Sequence, residues 1–206
     1  MNTKTTLIIV AIIAVGLAGI NSYLTLDKTT EINDGLTGYT GSEGYVNITI
    51  ATVISVNFST DAISWGAGSI DGGSQNATLE TSGPSVTRGN WSTDGISGLV
   101  IENIGNINAS LTLASGKNVT ELLGGSEAHH AYLWNLTNSE SGSCNPTEFS
   151  NATYAAVNKT GYAFCNQFGF LDAQDEITLD IQLTVPYDGN AGALTDTITA
   201  TASTAL

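Results

Sequence analysis

The most regular stretch of this sequence runs from Val46 to Ser59 and reads VNITIATVISVNFS. Its apolar side chains recur at every second residue, which is the period of a β-strand with one buried face. Thr52 is the one polar residue in the apolar phase, so we expect a bend or bulge there. Because its 14 residues exceed the usual strand length of about 5–6, the stretch is predicted to bend between two sheets or to follow an exposed edge, where it would receive a partner strand.

The same alternation returns along the rest of the chain in shorter segments separated by Gly, Asn and Pro. Strands are predicted at Asn76–Thr81, Gly98–Glu102, Ile107–Leu113, Tyr132–Leu136, Tyr162–Phe170, Ile177–Val185 and Leu194–Ala202, with a turn at Asn103–Asn106. One helical turn is expected around Val119–Leu123. Since no strand–helix–strand alternation occurs, the pattern predicts an all-β fold, a single Ig-like or jelly-roll-like antiparallel β-sandwich over residues 45–206.

The amino terminus carries a hydrophobic export segment at residues 1–20. Lys4 precedes an apolar run from Leu7 to Ile20, which is short for a membrane span and typical of a signal peptide. The alternative is an uncleaved membrane anchor that extends over residues 1–24. Residues 21–44 are weakly patterned and rich in turn residues, so they are predicted to be a linker or a short donor strand that pairs beyond its own sheet.

The charge of the chain excludes one large class of partners. Five Lys and Arg face 19 Asp and Glu, for a net charge of −14. Nucleic-acid binding requires a basic surface that displaces counterions, so no nucleic acid is expected as a partner. Anionic lipid is disfavoured for the same reason. An acidic, lysine-poor surface suits a solvated extracellular coat.

The two cysteines, Cys144 and Cys165, are predicted to form a disulfide, which is the usual state of a cysteine pair in an exported chain. A metal site is not predicted. The cysteine spacing does not fit zinc, and His129 and His130 are adjacent, so on a strand they would point to opposite faces.

Nine triplets match the N-glycosylation signal N-x-S/T, about twice the number that composition alone would give. They begin at Asn47, Asn57, Asn76, Asn90, Asn108, Asn118, Asn135, Asn151 and Asn158. Five of them, Asn47, Asn57, Asn76, Asn108 and Asn135, fall on the polar phase of predicted strands, so they are expected to face solvent. Covalent N-glycans are therefore predicted at the cell surface, in a host with the transfer machinery.

No catalytic motif occurs in the sequence, and neither an enzyme nor a cofactor is predicted. His129 and His130 are expected to be turn residues. Asp172, Asp175 and Glu176 are expected to form a solvated acidic loop, with a Ca²⁺ site as the weaker alternative.

Three tryptophans, Trp65, Trp91 and Trp134, leave a further function open. Aromatic faces stack on sugar rings, so a carbohydrate-binding module is one alternative. Trp134 shares a phase with Tyr132 and Leu136, which predicts that this indole packs in the core.

Two segments, GLVIENIGNINASLTL (residues 98–113) and GFLDAQDEITLDIQLTVPYDGNAGALTDTITATAS (residues 169–203), resemble secreted archaeal β-sandwich surface proteins that share an export segment and a cysteine pair. More distantly, the layout is similar to archaeal bundling-pilin, thread-filament and TasA-type filament subunits. In those families a free N-terminal strand completes the sandwich of the next subunit. The resemblance implies a homopolymeric extracellular filament with its donor strand in Asn21–Asp34, and this segment presents Leu24, Leu26 and Ile32. A membrane-anchored or S-layer-like coat or adhesin domain is the alternative.

Overall fold

Short antiparallel strands joined by turns make up the fold, and the computed structural model describes residues 45–144 and 153–205. The elements belong to a unit that runs from Ile50 to Leu206. In chain order they are β1 (Val56–Thr60), β2 (Asn76–Glu80), β3 (Ser85–Thr87), β4 (Leu99–Asn103), β5 (Ala109–Ser115), α1 (Val119–Leu123), β6 (Ala131–Asn138), β7 (Ala155–Ala156), β8 (Tyr162–Phe168), β9 (Glu176–Pro186) and β10 (Ile198–Thr204).

The larger sheet is built on β9, whose predicted alternation buries Ile177, Leu179 and Ile181. β6 pairs with β9 along one edge. The other edge is shared, because β4 pairs with the first half of β9 and β2 with the second half. β1, β3 and β7 extend the sheet beyond β4, β2 and β6, which makes seven strands among the described residues.

The smaller sheet has β5 at its centre, between β10 and β8, and contains these three strands in the described part of the chain. β5 reads ASLTLAS and buries every second side chain from Ala109 to Ser115. β10 pairs antiparallel with β5 over its whole length, from Ile198 opposite Ser115 to Thr204 opposite Ala109. Alternation of period 2 therefore gives this sheet one core face and one Ser- and Thr-rich outer face.

The two sheets pack face to face through large apolar side chains. Trp134 of β6 and Phe164 of β8 are both fully buried, with ring centroids 4.9 Å apart and planes at 81°. Such an edge-to-face pair adds about 0.5–1.5 kcal/mol beyond area burial. Leu111 and Leu113 from the smaller sheet join Leu136 from the larger one in the same cluster. The predicted antiparallel β-sandwich is thereby confirmed.

The one helix among the described residues, α1, begins where the sequence predicts a helical turn. Asn118 caps it: its Oδ1 accepts the Glu121 backbone N–H at 2.8 Å, and Glu121 Oε2 accepts the Asn118 N–H at 2.9 Å. This reciprocal capping box satisfies two N–H groups that the first turn leaves free. Gly124 ends the helix with φ of 64°, a conformation that favours glycine.

The long strand predicted for Val46–Ser59 is wrong in its first part. Only its end belongs to β1, where Val56 and Phe58 are half-buried in the predicted phase. Val46, Ile48 and Ile50 were expected to face the core, but their exposed fractions are 94%, 82% and 78%.

A side chain from another part of the chain explains why this strand starts late. The side-chain amide of Asn106, in the turn between β4 and β5, forms hydrogen bonds with the Ala51 carbonyl and the Val53 N–H. These two backbone groups are therefore not available for pairing with a neighbouring strand. The expected irregularity at Thr52 therefore does not arise within a strand. The register shift between β1 and β4 lies instead between Phe58 and Thr60.

Candidate functional site

The predicted disulfide between Cys144 and Cys165 is present, with the two Cα atoms 5.6 Å apart. Both cysteines are buried. Cys144 forms an isolated bridge with Phe168, and Gly169 N–H donates to the Ser143 carbonyl at 2.8 Å. The disulfide therefore holds the segment that follows β6 against the outer side of β8 near its end, at Phe168.

The glycosylation triplets occupy three kinds of environment. Exposed asparagines are Asn47, Asn57, Asn90, Asn108 and Asn118. Asn76 and Asn158 are half-buried, and Asn151 lies outside the described residues. A glycan requires an asparagine that points to solvent, so the exposed group satisfies the steric condition for modification.

Asn135 contradicts the expectation that it faces solvent, because only 5% of it is exposed. It lies opposite Asp180 of β9. On its other side β7 pairs with β6 at Ala155 opposite Trp134, so the antiparallel register sets Tyr154 beside Asn135. The polar phase of β6 is thus covered by flanking side chains, a long-range arrangement that the local pattern does not reveal.

The environment of Asn135 is polar and enclosed. Its Oδ1 has no hydrogen-bond partner among the described residues, and Asp180 is only 4% exposed. Burial raises the pKa of the Asp180 carboxyl, and the negative Glu80 nearby acts in the same direction, whereas the Thr81 hydrogen bond opposes both. Burial, with Glu80, also raises the pKa of the Tyr154 phenol. Taking the Asp180 carboxyl out of water costs free energy. This side of β6 therefore belongs to the packed structure and is not an exposed surface open to modification.

None of the three tryptophans presents a fully exposed ring to solvent. Trp134 is fully buried and Trp65 packs against the core cluster. The Trp91 ring lies so close to the backbone of Gly68 and Gly89 that a Cβ at either glycine would come within 2.4 Å or 2.7 Å of ring carbons. These side chains therefore contribute to packing, as expected for Trp134.

The histidines each have a structural neighbour. His129 is in a turn, with its ring centroid 6.0 Å from that of Tyr187, and His130 Nδ1 lies 2.6 Å from the Gly124 carbonyl oxygen. No group of three or more His, Cys, Asp or Glu side chains in the described ranges is arranged to hold a metal ion.

The acidic loop before β9 is organised by one carboxylate. Glu140 Oε2 accepts the backbone N–H groups of Asp175 and Glu176 at 2.9 and 3.2 Å. Desolvation, followed by the charges of Glu140, Glu102 and Asp172, raises the pKa of Asp175. Asp172 is exposed, which agrees with a solvated loop at this position.

A polar recess of about 230 Å³ lies beside the end of β5, lined by Lys117, Asp196 and their neighbours. Asp196 Oδ2 accepts hydrogen bonds from Ser115 Oγ at 2.6 Å and Tyr132 Oη at 3.0 Å, while Lys117 Nζ donates to the Thr195 carbonyl at 2.6 Å. These groups satisfy one another. The network also holds the chain before β10, which begins at Ile198 rather than at Leu194 as predicted.

A second feature is the segment between Val46 and Ile50, which we call the free strand. Its apolar side chains are exposed, and its residues pair with no strand in the part of the chain that the structure describes. Just after it, Asn106 Nδ2 donates to the Ala51 carbonyl at 2.8 Å, Val53 N–H donates to Asn106 Oδ1 at 2.8 Å, and Asn106 N–H donates to the Val53 carbonyl at 3.0 Å. We call these three hydrogen bonds the Asn106 clamp.

β10 forms the other edge of the smaller sheet, and no strand in the part of the chain that the structure describes pairs with its outer side. Its core-facing Ile198, Ala200 and Ala202 are only half-buried, whereas Thr199 and Thr201 are exposed. An unpaired edge presents backbone N–H and C=O groups that a further strand would bond. This edge is the strongest candidate for a functional surface.

Comparison with protein-family models, with curated proteins and with solved structures found no match. No helix in the described ranges is long and apolar enough to cross a membrane. The predicted export segment or anchor and the predicted donor residues Leu24, Leu26 and Ile32 lie outside the described residues.

Proposed function

We propose that this protein is a structural subunit of an extracellular filament, assembled by the addition of a strand from one copy to the sandwich of the next. The observation that carries the proposal is the unpaired edge of β10. A contact in which one surface of a copy binds a different surface of the next gives an open fibre when the rotation between successive copies does not close a ring.

β10 lacks the features that protect a permanent edge strand, and the apolar side chains beside it are only partly buried. Both observations support the addition of a further strand. Natural sheets usually protect an edge strand with charge, proline or a covering loop. β10 reads ITATAST and has neither a charged residue nor proline. Its neighbour in the opposite sheet, β1, leaves Val56 and Phe58 half-buried. An added strand would cover apolar surface as well as satisfy backbone groups.

Three features support the extracellular location. The buried Cys144–Cys165 disulfide is compatible with an oxidising compartment. The exposed glycosylation triplets and the predicted export segment agree with it. The net charge of −14 keeps copies apart except at uncharged surfaces, which favours a defined contact over general aggregation.

Negative-stain electron microscopy and sedimentation of the secreted protein test the proposal. We expect fibres of uniform width. Discrete monomers across a broad concentration range would overturn it.

A pair of matched variants tests whether the fibres depend on β10. Ala200→Lys places a charge at a core-facing position of β10, and Thr199→Lys places the same charge at the exposed neighbouring position. We expect Ala200→Lys to abolish fibres and Thr199→Lys to retain them. Thermal unfolding of both variants separates a blocked edge from an unfolded domain.

A further inference from the structure

We propose that the free strand, Val46–Ile50, is the segment that adds to β10 of a second copy of this chain. The inference rests on the proposed function and specifies its two contacting elements. It replaces Asn21–Asp34, the segment that the resemblance implies, as the donor.

The apolar side chains of the free strand are exposed to solvent. Val46, Ile48 and Ile50 are 94%, 82% and 78% exposed, and a side chain of this type is stabilised by burial. Three large apolar side chains on one face of a single segment form a contiguous apolar stripe, and such a stripe on a soluble protein marks an interaction surface.

The free strand has the period of a β-strand with two different faces. Its apolar residues alternate with Asn47 and Thr49, so an extended conformation sets the two kinds of side chain on opposite faces. β10 has the same two faces: Ile198, Ala200 and Ala202 face the core, while Thr199, Thr201 and Ser203 face solvent. Paired beside β10, the free strand would continue both faces of the smaller sheet.

Size and charge also match. The core-facing side of β10 carries two alanines, Ala200 and Ala202, which leave room for the larger isoleucines of the free strand. Neither element contains a charged residue, although the chain as a whole carries −14. Two copies therefore meet without bringing like charges together at this contact.

The Asn106 clamp anchors the carboxyl end of the free strand to the sandwich, which favours this segment as the donor. Its three hydrogen bonds fix the backbone at Ala51 and Val53, directly after the free strand. A donor held at its carboxyl end loses less conformational freedom when it binds than a donor on a long flexible tether. Force along a fibre would also pass from the donor into the sandwich through these bonds.

The experiment compares Ile48→Asp with Leu171→Asp in the full chain. Both side chains are exposed, Leu171 by 56%, and both changes replace an apolar residue with one negative charge. Ile48→Asp keeps the triplet that starts at Asn47. We expect it to lower the affinity between copies about tenfold or more, because one buried isoleucine is lost from each contact. Leu171→Asp should polymerise as the wild type does.

A peptide identifies the acceptor. The wild-type sequence of residues 44–52, GYVNITIAT, is titrated into the full-length Ile48→Asp protein and followed by amide chemical shifts. We expect the shifts to move at Ile198–Thr204. Shifts confined to β1, β3 or β7, the edge strands of the larger sheet, would overturn the assignment of the acceptor.

The outcomes separate the inference from the proposed function. If the wild type forms fibres and Ile48→Asp forms them equally well, the inference is wrong and the filament remains. If the wild type stays monomeric at every concentration, the proposed function is wrong, and the inference with it.

Discussion

The Thr81 hydroxyl donates a buried hydrogen bond of 2.9 Å to Asp180 Oδ1 and accepts the Ile181 backbone N–H at 2.9 Å. The Thr81 N–H in turn donates to the Ile181 carbonyl at 3.1 Å. This threonine lies directly after β2, at the point where the edge of β9 passes from β2 to β4. Neither β2 nor β4 supplies a carbonyl oxygen to the Ile181 N–H, and the Thr81 hydroxyl accepts this hydrogen bond instead. The backbone of β9 therefore stays hydrogen-bonded where its partner changes from β2 to β4.

Thr81→Val tests the role of this hydroxyl at nearly constant shape. Valine leaves the Ile181 N–H and Asp180 Oδ1 without their partner in a buried position, so we expect the free energy of unfolding to fall by about 1–3 kcal/mol. Urea denaturation measures it. Thr81→Ser keeps the hydroxyl and removes one methyl group, and it should lose clearly less. Equal losses in the two variants would show that packing, not hydrogen bonding, sets the effect.

Asp180 makes stability depend on pH in an unusual direction. Burial raises the pKa of its carboxyl in the folded protein, so the folded state holds this proton more tightly than the unfolded chain. The stability from this group is therefore present below the ordinary Asp pKa of about 3.9 and is lost as pH rises through the folded-state pKa.

Asp180→Asn removes that dependence. Relative to the wild type, the variant should gain stability as the pH rises from about 4 to 7, as measured by thermal or urea unfolding at each pH. Asp172→Asn, which removes the same charge from an exposed loop position, is the control. Parallel pH profiles for the two variants would contradict the prediction.

Alternation of period 2 predicted the sandwich because local side-chain pattern decides which strands have a buried face. β5 and β9 show this. The helical turn expected around Val119–Leu123 is also present, as α1, and the structure adds the capping pair Asn118 and Glu121.

The alternation wrongly predicted a buried strand face at Val46–Ile50. These residues pair with none of the described strands, so their apolar side chains stay exposed. The alternation failed at Asn135 as well, because Tyr154 and Asp180 reach that position only through strand pairings distant in sequence.

The candidate site was less accessible to sequence reasoning than the fold. The edge position of β10 follows from strand order, which alternation does not encode. The Asn106 clamp joins residues 53 and 55 positions apart, and no local signal marks such a contact. The one clue in the sequence was the absence of charge and proline from both the free strand and β10.

Reduction of the Cys144–Cys165 disulfide should destabilise the domain. The bond closes a loop with a sequence separation of 21, for which the chain-entropy model gives about 3 kcal/mol. We expect a reductant to lower the denaturation midpoint of the wild type. Reduction leaves both cysteine side chains in place, so the change reports the loss of the bond and not the loss of packing. The double variant Cys144→Ala/Cys165→Ala is the control, and its midpoint should not respond to the reductant. A wild-type midpoint that also stays constant would show that the disulfide contributes little to the stability of the domain.

Glycan occupancy should follow burial. In protein secreted from a host with the transfer machinery, we expect glycans at Asn57 and Asn108, which are exposed, and none at Asn135, which is 5% exposed. A glycan at Asn135 would displace Tyr154 or Asp180 from the covering of β6. Enzymatic deglycosylation in ¹⁸O-labelled water followed by peptide mass spectrometry measures each position. Substantial occupancy of Asn135 in folded protein would contradict the covered position of this residue.

Asn106→Ala should release the backbone that follows the free strand. The variant loses the acceptor for the Val53 N–H and the donor to the Ala51 carbonyl, so we expect hydrogen exchange at the Val53 amide to accelerate about fivefold, the equivalent of about 1 kcal/mol. Asn106→Asp keeps an oxygen for the Val53 N–H but cannot donate to Ala51, so its Val53 amide should stay protected. If the clamp also carries load between copies, fibres of Asn106→Ala should break at lower shear than those of Asn106→Asp. Unchanged exchange at Val53 in Asn106→Ala would show that the backbone hydrogen bond from Asn106 N–H to Val53 holds this segment alone.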